Sequence, residues 1–103
     1  MKFVLIYTTH SSMVEAKKIT DPLLSQHLIA CVNFHTIVSE YHWKNEIAQT
    51  EEVVALLKTT IENFEEVAEY VENNHPYDTP CIIKLAEVEA NEAYADWLQS
   101  EVK

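Results

Sequence analysis

The amino-acid sequence predicts an α+β domain with strands and helices in the order βαββαβ and one further helix at the C-terminus. Three observations carry that reading. Stretches of strand length are rich in β-branched and aromatic residues, segments with apolar residues at helical spacing separate them, and two of the extended stretches face each other across a short polar turn. At 103 residues the chain is expected to form a single domain over 1–103. A chain of that size buries only about two-thirds of the surface it exposes when unfolded.

Lys2 to Thr9 is an apolar run rich in β-formers, the composition of a strand buried on both faces. Ser12-Met13-Val14-Glu15 has the capping-box spacing and opens a helix in which Ala16, Ile19, Leu23 and His27 recur on one side. Pro22 interrupts it, so either the helix kinks or Asp21 caps a second helical segment with Pro22 in its first turn. Ile29 to Trp43 is a long extended stretch that sets Ser39, Tyr41 and Trp43 on one face and Val38, Glu40 and His42 on the other. Lys44-Asn45-Glu46 supplies the turn, Asn45 being well suited to positive φ, and Ile47 to Thr59 returns as the next strand.

A second capping box, Thr59-Thr60-Ile61-Glu62, is expected to open the next helix, with Ile61, Phe64, Val67, Ala68 and Val71 as its apolar stripe. Glu62, Glu65, Glu66, Glu69 and Glu72 fall on its solvated side. Asn73-Asn74 is expected to close it in the left-handed conformation before His75-Pro76. Thr79 to Val88 reads as the fourth strand with Pro80 at its start. Asn91 is expected to cap a last helix carrying Tyr94, Trp97 and Leu98 on one face.

This order is the split-βαβ, ferredoxin-like arrangement, with strand order 4-1-3-2 and strands two and four on opposite edges. The central hairpin, with about 14 residues a side, spans roughly 45 Å and overhangs so small a core. A long exposed edge of that kind predicts pairing with further copies in a closed homo-oligomer.

Composition narrows the function. There is no glycine and no arginine, and 17 acidic residues against 7 lysines leave a formal net charge of −10. Without glycine there is no Gly-rich phosphate loop, and without arginine no planar fork for phosphate. The charge balance opposes binding to nucleic acid or to an anionic membrane surface. The apolar run Phe3 to Tyr7 is too short to span a bilayer, and no cleavage-site pattern follows it, so a cytoplasmic protein is expected.

Five histidines, two cysteines and the surplus carboxylates include the ligand types that copper, nickel and zinc accept. No pair has ligand spacing within one element; Cys31 and His35, on one strand face, lie about 13 Å apart. A metal site therefore needs ligands from several elements or subunits, with His75 as its anchor. The alternative is scattered surface histidines and structural thiols. Cys31 and Cys81 read as small packing residues, about 14 Å apart on opposite sheet edges and beyond disulfide reach within one subunit. No local signature supports a catalytic Cys31–His75 pair. Pro76 holds the His75 backbone extended and so aims its ring.

Ile29-Ala30-Cys31-Val32-Asn33, Tyr41-His42-Trp43, Leu57-Lys58-Thr59-Thr60, His75-Pro76-Tyr77-Asp78-Thr79-Pro80 and Asn91…Tyr94…Trp97-Leu98 resemble, in order and spacing, the CutA (divalent-cation tolerance) family. The resemblance implies a ferredoxin-like subunit in a tight homotrimer, an architecture shared with the PII signal-transduction proteins. It implies a role in tolerance of copper and other divalent cations, weakly bound, and no enzymatic reaction. The sequence departs from the family's pattern at Thr36 and Asn45, where members usually carry glycine, at Glu46 in place of lysine, and at Pro22. Of three ligand positions proposed for copper in the family, the matching residues here are Tyr7, Asn74 and His75, so His75 alone remains a metal ligand. PII-like trimers bind small effectors in clefts between subunits, which makes Lys58, His75 and Tyr77 the ligand-cleft candidates. Trp43, Tyr94, Trp97 and Cys31 are expected to pack the last helix and the trimer. A signalling or small-molecule binding module is the second reading, and an interaction protein whose trimer presents partner surfaces the third.

Overall fold

A computed structural model describes residues 2–103 as β1 (Lys2–His10), α1 (Met13–Ser25), β2 (Cys31–Trp43), β3 (Glu46–Thr60), a 3-10 turn (Ile61–Asn63), α2 (Phe64–Asn74), β4 (Ile82–Glu89) and α3 (Glu92–Glu101). The four strands make one antiparallel sheet in the order β2-β3-β1-β4, which is the order expected from the sequence. Alternation along β1 and β3 sends Val4, Ile6, Ala55 and Leu57 to one face, where they pack with Ile19 and Leu23 of α1 and Val67 and Val71 of α2. The opposite set, which includes Phe3 and Lys58, meets Tyr94 of α3.

Helix α1 starts as the capping box predicts, with Ser12 Oγ accepting from the Glu15 amide at 3.1 Å. Of the two alternatives at Pro22, the second segment capped by Asp21 does not form: α1 runs as one helix through Pro22, whose carbonyl accepts from Gln26 N at 3.0 Å. His27 does not continue the apolar stripe. It sits at φ 58°, and the bonds His27 N to Leu24 O and Leu28 N to Leu23 O, both 3.0 Å, form a Schellman stop with histidine where glycine is usual. The ring is held too: His27 Nδ1 donates to Glu101 O at 2.8 Å, and His27 O accepts from Lys103 N at 2.9 Å. The C-terminal end of α3 is thereby tied to the end of α1.

The hairpin pairs β2 and β3 from Cys31 opposite Lys58 to Trp43 opposite Glu46. Lys44 and Asn45 close it at φ 49° and 65°, the signs a type I′ turn demands, so lysine as well as asparagine takes the strained region. The overhang gives the molecule a long axis of 46 Å.

Three expectations are corrected downstream. The second capping box does not form, because Thr59 is the penultimate residue of β3 and donates to Leu28 O at 2.6 Å. A 3-10 turn intervenes before α2, with no side-chain cap at Thr60 or Asn63. Asn73 and Asn74 remain helical rather than left-handed; Asn74 Nδ2 donates to Tyr70 O at 2.8 Å, and the helix stops because His75, ahead of Pro76, is extended. Strand β4 begins at Ile82 rather than Thr79, leaving Pro80 outside it, and a bulge at Leu85 shifts its register against β1. Asn91 occupies the N-cap of α3 without a side-chain bond to the helix. The stripe and the solvated glutamates of α2 lie as expected, with Val67 and Val71 buried and Glu62, Glu65, Glu66, Glu69 and Glu72 exposed.

Candidate functional site

The end of β1 and the 75–81 loop bring together a chain of polar groups that runs from the core to the surface. The even residues of β1 face the helices, so Thr8 and His10 point inward at the strand's last turn of alternation. Thr8 donates its hydroxyl proton to Ala55 O at 3.1 Å and accepts from His10 Nε2 at 2.8 Å. His10 is 1% exposed, and its Nδ1 is a buried atom without a partner. Burial, then the neighbouring His75, pull the His10 imidazole from 6.5 down to about 4, against an upward pull from Glu52 and Glu15.

The His75 ring stacks on His10 with centroids 4.9 Å apart and planes 22° from parallel. Its Nε2 donates to Thr9 O at 2.7 Å, and its Nδ1 accepts from the Tyr77 amide at 3.1 Å. Those bonds set the tautomer: the proton is on Nε2 and the Nδ1 lone pair is occupied, so both ring nitrogens have a partner. A cation at His75 must displace one of these partners. Tyr77 packs on His75 at 4.5 Å and donates its hydroxyl to Glu52 at 2.9 Å. Burial first, and the bond to Glu52 second, push the Tyr77 phenol up to about 12. Cys81 lies against Thr9, and burial raises its thiol.

The other residues singled out from sequence lie apart. Lys58 is opposite Leu5 and Cys31, four positions along β3 from Val54, the residue opposite Thr9. That is about 13 Å of strand. Lys58 Nζ instead bonds the Tyr94 hydroxyl at 3.3 Å, 5.4 Å from that ring's centroid. Within one subunit, then, His75 and Tyr77 meet and Lys58 does not join them. Trp43 is exposed near the hairpin tip, Trp97 is exposed beside Tyr94 at 5.5 Å, and Cys31 is half-buried and free, as is Cys81. Among the described residues, no three His, Cys, Asp or Glu side chains gather closely enough to hold one metal ion. No helix of the described residues is long and apolar enough to cross a membrane.

Sequence reasoning missed His10 and Glu52. A signal for His10 existed: period-two alternation from Val4 and Ile6 places it on the buried face. Glu52 carried no such signal, since its meeting with Tyr77 depends on the path of the 75–81 loop.

Beside Tyr77, the overhanging hairpin and the loop flank a groove of ≈ 630 Å³ lined by Tyr41, Trp43, Glu52, Tyr77 and Asp78. A shallower hollow of ≈ 490 Å³ next to it is lined by Ser12, Thr36 and Val38 and shares Glu51 and Glu52.

The family profile described as CutA1 divalent ion tolerance protein matches residues 4–101. The Divalent-cation tolerance protein CutA of Pyrococcus horikoshii is 38% identical over 100 residues, covering 97% of this chain and 98% of the relative. The crystal structure of CutA1 from that organism superposes with a TM-score of 0.92 at 37% identity, covering 97% of this chain and 98% of the other. A structure titled the periplasmic divalent cation tolerance protein CutA from Archaeoglobus fulgidus gives 0.93 at 35% identity, covering 98% and 99%.

Proposed function

The chain belongs to the CutA1 divalent ion tolerance protein family, and from that premise we propose that it serves divalent-metal tolerance as a homotrimer that binds copper or another divalent cation weakly. The observation that carries the reading is the pair of carboxylates Glu52 and Asp78 at the groove beside Tyr77, whose ring packs on His75, on a chain of net charge −10. Carboxylate and imidazole are acceptable ligands for copper and its neighbours. Weakness follows from His75 itself, where a cation competes with the Thr9 carbonyl or the Tyr77 amide. Each lost hydrogen bond costs about 1 kcal/mol.

In this proposal the subunit is ferredoxin-like and the trimer PII-like. The unpaired edges of β2 and β4 and the exposed Trp43, Ile83, Leu85 and Trp97 support such an assembly. The protein is proposed to have no catalytic reaction, in keeping with a Cys81 thiol raised by burial and therefore poorly nucleophilic. The cytoplasm is its proposed location, because the apolar run Phe3 to Tyr7 is spent on an inner strand of the sheet.

Calorimetric titration of the oligomer with Cu(II), in a weakly competing buffer, tests the metal reading. We expect saturable heat with Kd above about 1 μM, weakened in His75→Ala. Absence of saturable Cu(II) binding overturns it.

A second reading is a small-molecule binding module with inter-subunit clefts involving Lys58, His75 and Tyr77; of these, Tyr77 lines the groove beside the hairpin, and Lys58 and His75 stand outside it. Its volume of ≈ 630 Å³ lies within the range of ligand sites, which is about 300–1,000 Å³.

A further inference from the structure

We propose that Tyr77 is a lock on the metal site: a divalent cation reaches His75 only when the 75–81 loop swings away, and its binding holds the loop open. The inference rests on the metal reading and assigns the regulation of that same site.

With the loop closed, His75 has no nitrogen free. Its Nε2 donates to Thr9 O at 2.7 Å, and its Nδ1 accepts from the Tyr77 amide at 3.1 Å. The ring is 8% exposed, with the His10 ring 4.9 Å and the Tyr77 ring 4.5 Å from it. An imidazole ligates a metal through a bare nitrogen lone pair, so His75 fits a cation only after one partner has moved.

The partner that moves is Tyr77. Thr9 belongs to β1 and is paired with Val54 of β3, so its carbonyl is fixed by the sheet. The bond from Nε2 to that carbonyl has the form by which ligating histidines are oriented, a ring N–H given to a backbone oxygen while the other nitrogen faces the metal. Pro76 and Pro80 carry no amide proton, and among the described residues the hydrogen bonds that tether 76–80 are both made by Tyr77. A segment so lightly tied opens at less cost than the strands beside it.

The Tyr77 hydroxyl also donates to Glu52 at 2.9 Å. One outward movement of Tyr77 therefore bares an imidazole nitrogen and a carboxylate oxygen together, both acceptable to copper and its neighbours. All of these bonds lie within one subunit, so the lock does not depend on the groove being open. The apparent affinity of such a site is its intrinsic affinity reduced by the fraction of time the loop is open. Weakening the closed loop then strengthens metal binding, whereas removing a ligand weakens it.

The test is a Cu(II) titration of the full-length oligomer, wild type beside Tyr77→Phe, which keeps the ring and the amide and loses the hydroxyl. Loss of that one hydrogen bond is expected to tighten Cu(II) about five-fold. Hydrogen exchange at 77–79 in the wild type is expected to speed up when Cu(II) is added. Light scattering checks that Tyr77→Phe keeps its assembly.

Cu(II) binding that is lost in His75→Ala but unchanged or weakened in Tyr77→Phe overturns the lock and leaves the metal reading standing. So does saturable binding to the wild type with exchange at 77–79 unchanged or slowed, a result that decides the case even where the variant folds poorly. Absence of saturable Cu(II) binding in both wild type and Tyr77→Phe overturns the metal reading and the lock with it.

Discussion

At the scale of single residues, His10 carries the clearest consequence. A histidine whose folded pKa is about 4 against 6.5 unfolded stays neutral in the native protein. The unfolded chain then binds more protons below 6.5, so the native state loses stability as pH falls from 6.5 toward 4. Above 6.5 the contribution is constant. The loss from this one group is on the order of 2 kcal/mol, and His10→Phe, which keeps the ring shape, is expected to flatten the stability curve across that window. Denaturant melts at pH 7 and pH 4.5 measure it; an unchanged difference between the two pH values in the variant refutes the assignment. The sequence made this readable in part. Alternation from Val4 put His10 inside, while the stacked partner His75 comes from 65 positions later in the chain and could not be read from any local pattern.

At the scale of elements, what was legible depended on whether the deciding contacts are local. The cap at Ser12, the stripe of α2 and the hairpin turn at Asn45 are decided within a few residues, and they formed as read. Thr59 was not, because its hydroxyl is taken by Leu28 O across the sheet edge, where no capping pattern shows it. His27 was misplaced for a similar reason. Its left-handed backbone, costing roughly 1–2 kcal/mol in a residue other than glycine, is accepted where Glu101 O and Lys103 N engage the same residue. Pro22 gives a direct test at this scale. It sits inside α1 and offers no amide to the preceding turn. Pro22→Ala supplies that bond, and thermal melts should show a gain of about 1–2 kcal/mol, less than the full ~3 kcal/mol propensity difference because proline also restricts the unfolded chain. A destabilised variant would mean that the ring's packing outweighs the missing bond.

At the scale of the whole molecule, the exposed apolar residues are the main unmet demand. Ile83 and Leu85 on β4 and Trp97 on α3 are about half exposed, and the long hairpin leaves Trp43 and Ile47 in solvent. Large apolar surface of this kind marks an interaction site. Leu85, put forward by the bulge, is a suitable probe. In the proposed homotrimer, light scattering should give three chain masses for the wild type and a smaller species for Leu85→Asp at the same concentration. A monomeric wild type refutes the trimer, and a variant that remains trimeric removes Leu85 from the interface.

The sequence by itself determined the order of elements, their strand pairing and the family, because alternation, helical spacing, turn chemistry and short motifs are written within a few residues of each other. It also determined the acidic balance, a formal net charge of −10. Only the tertiary structure decided which titratable groups meet: that His10 stacks on His75, that Tyr77 reaches Glu52, and that Lys58 turns to Tyr94 instead of joining them. Those meetings depend on strand register and on the course of the 75–81 loop. A shift of one residue in pairing sends a side chain to the other face of the sheet, and contacts across the sheet set that pairing.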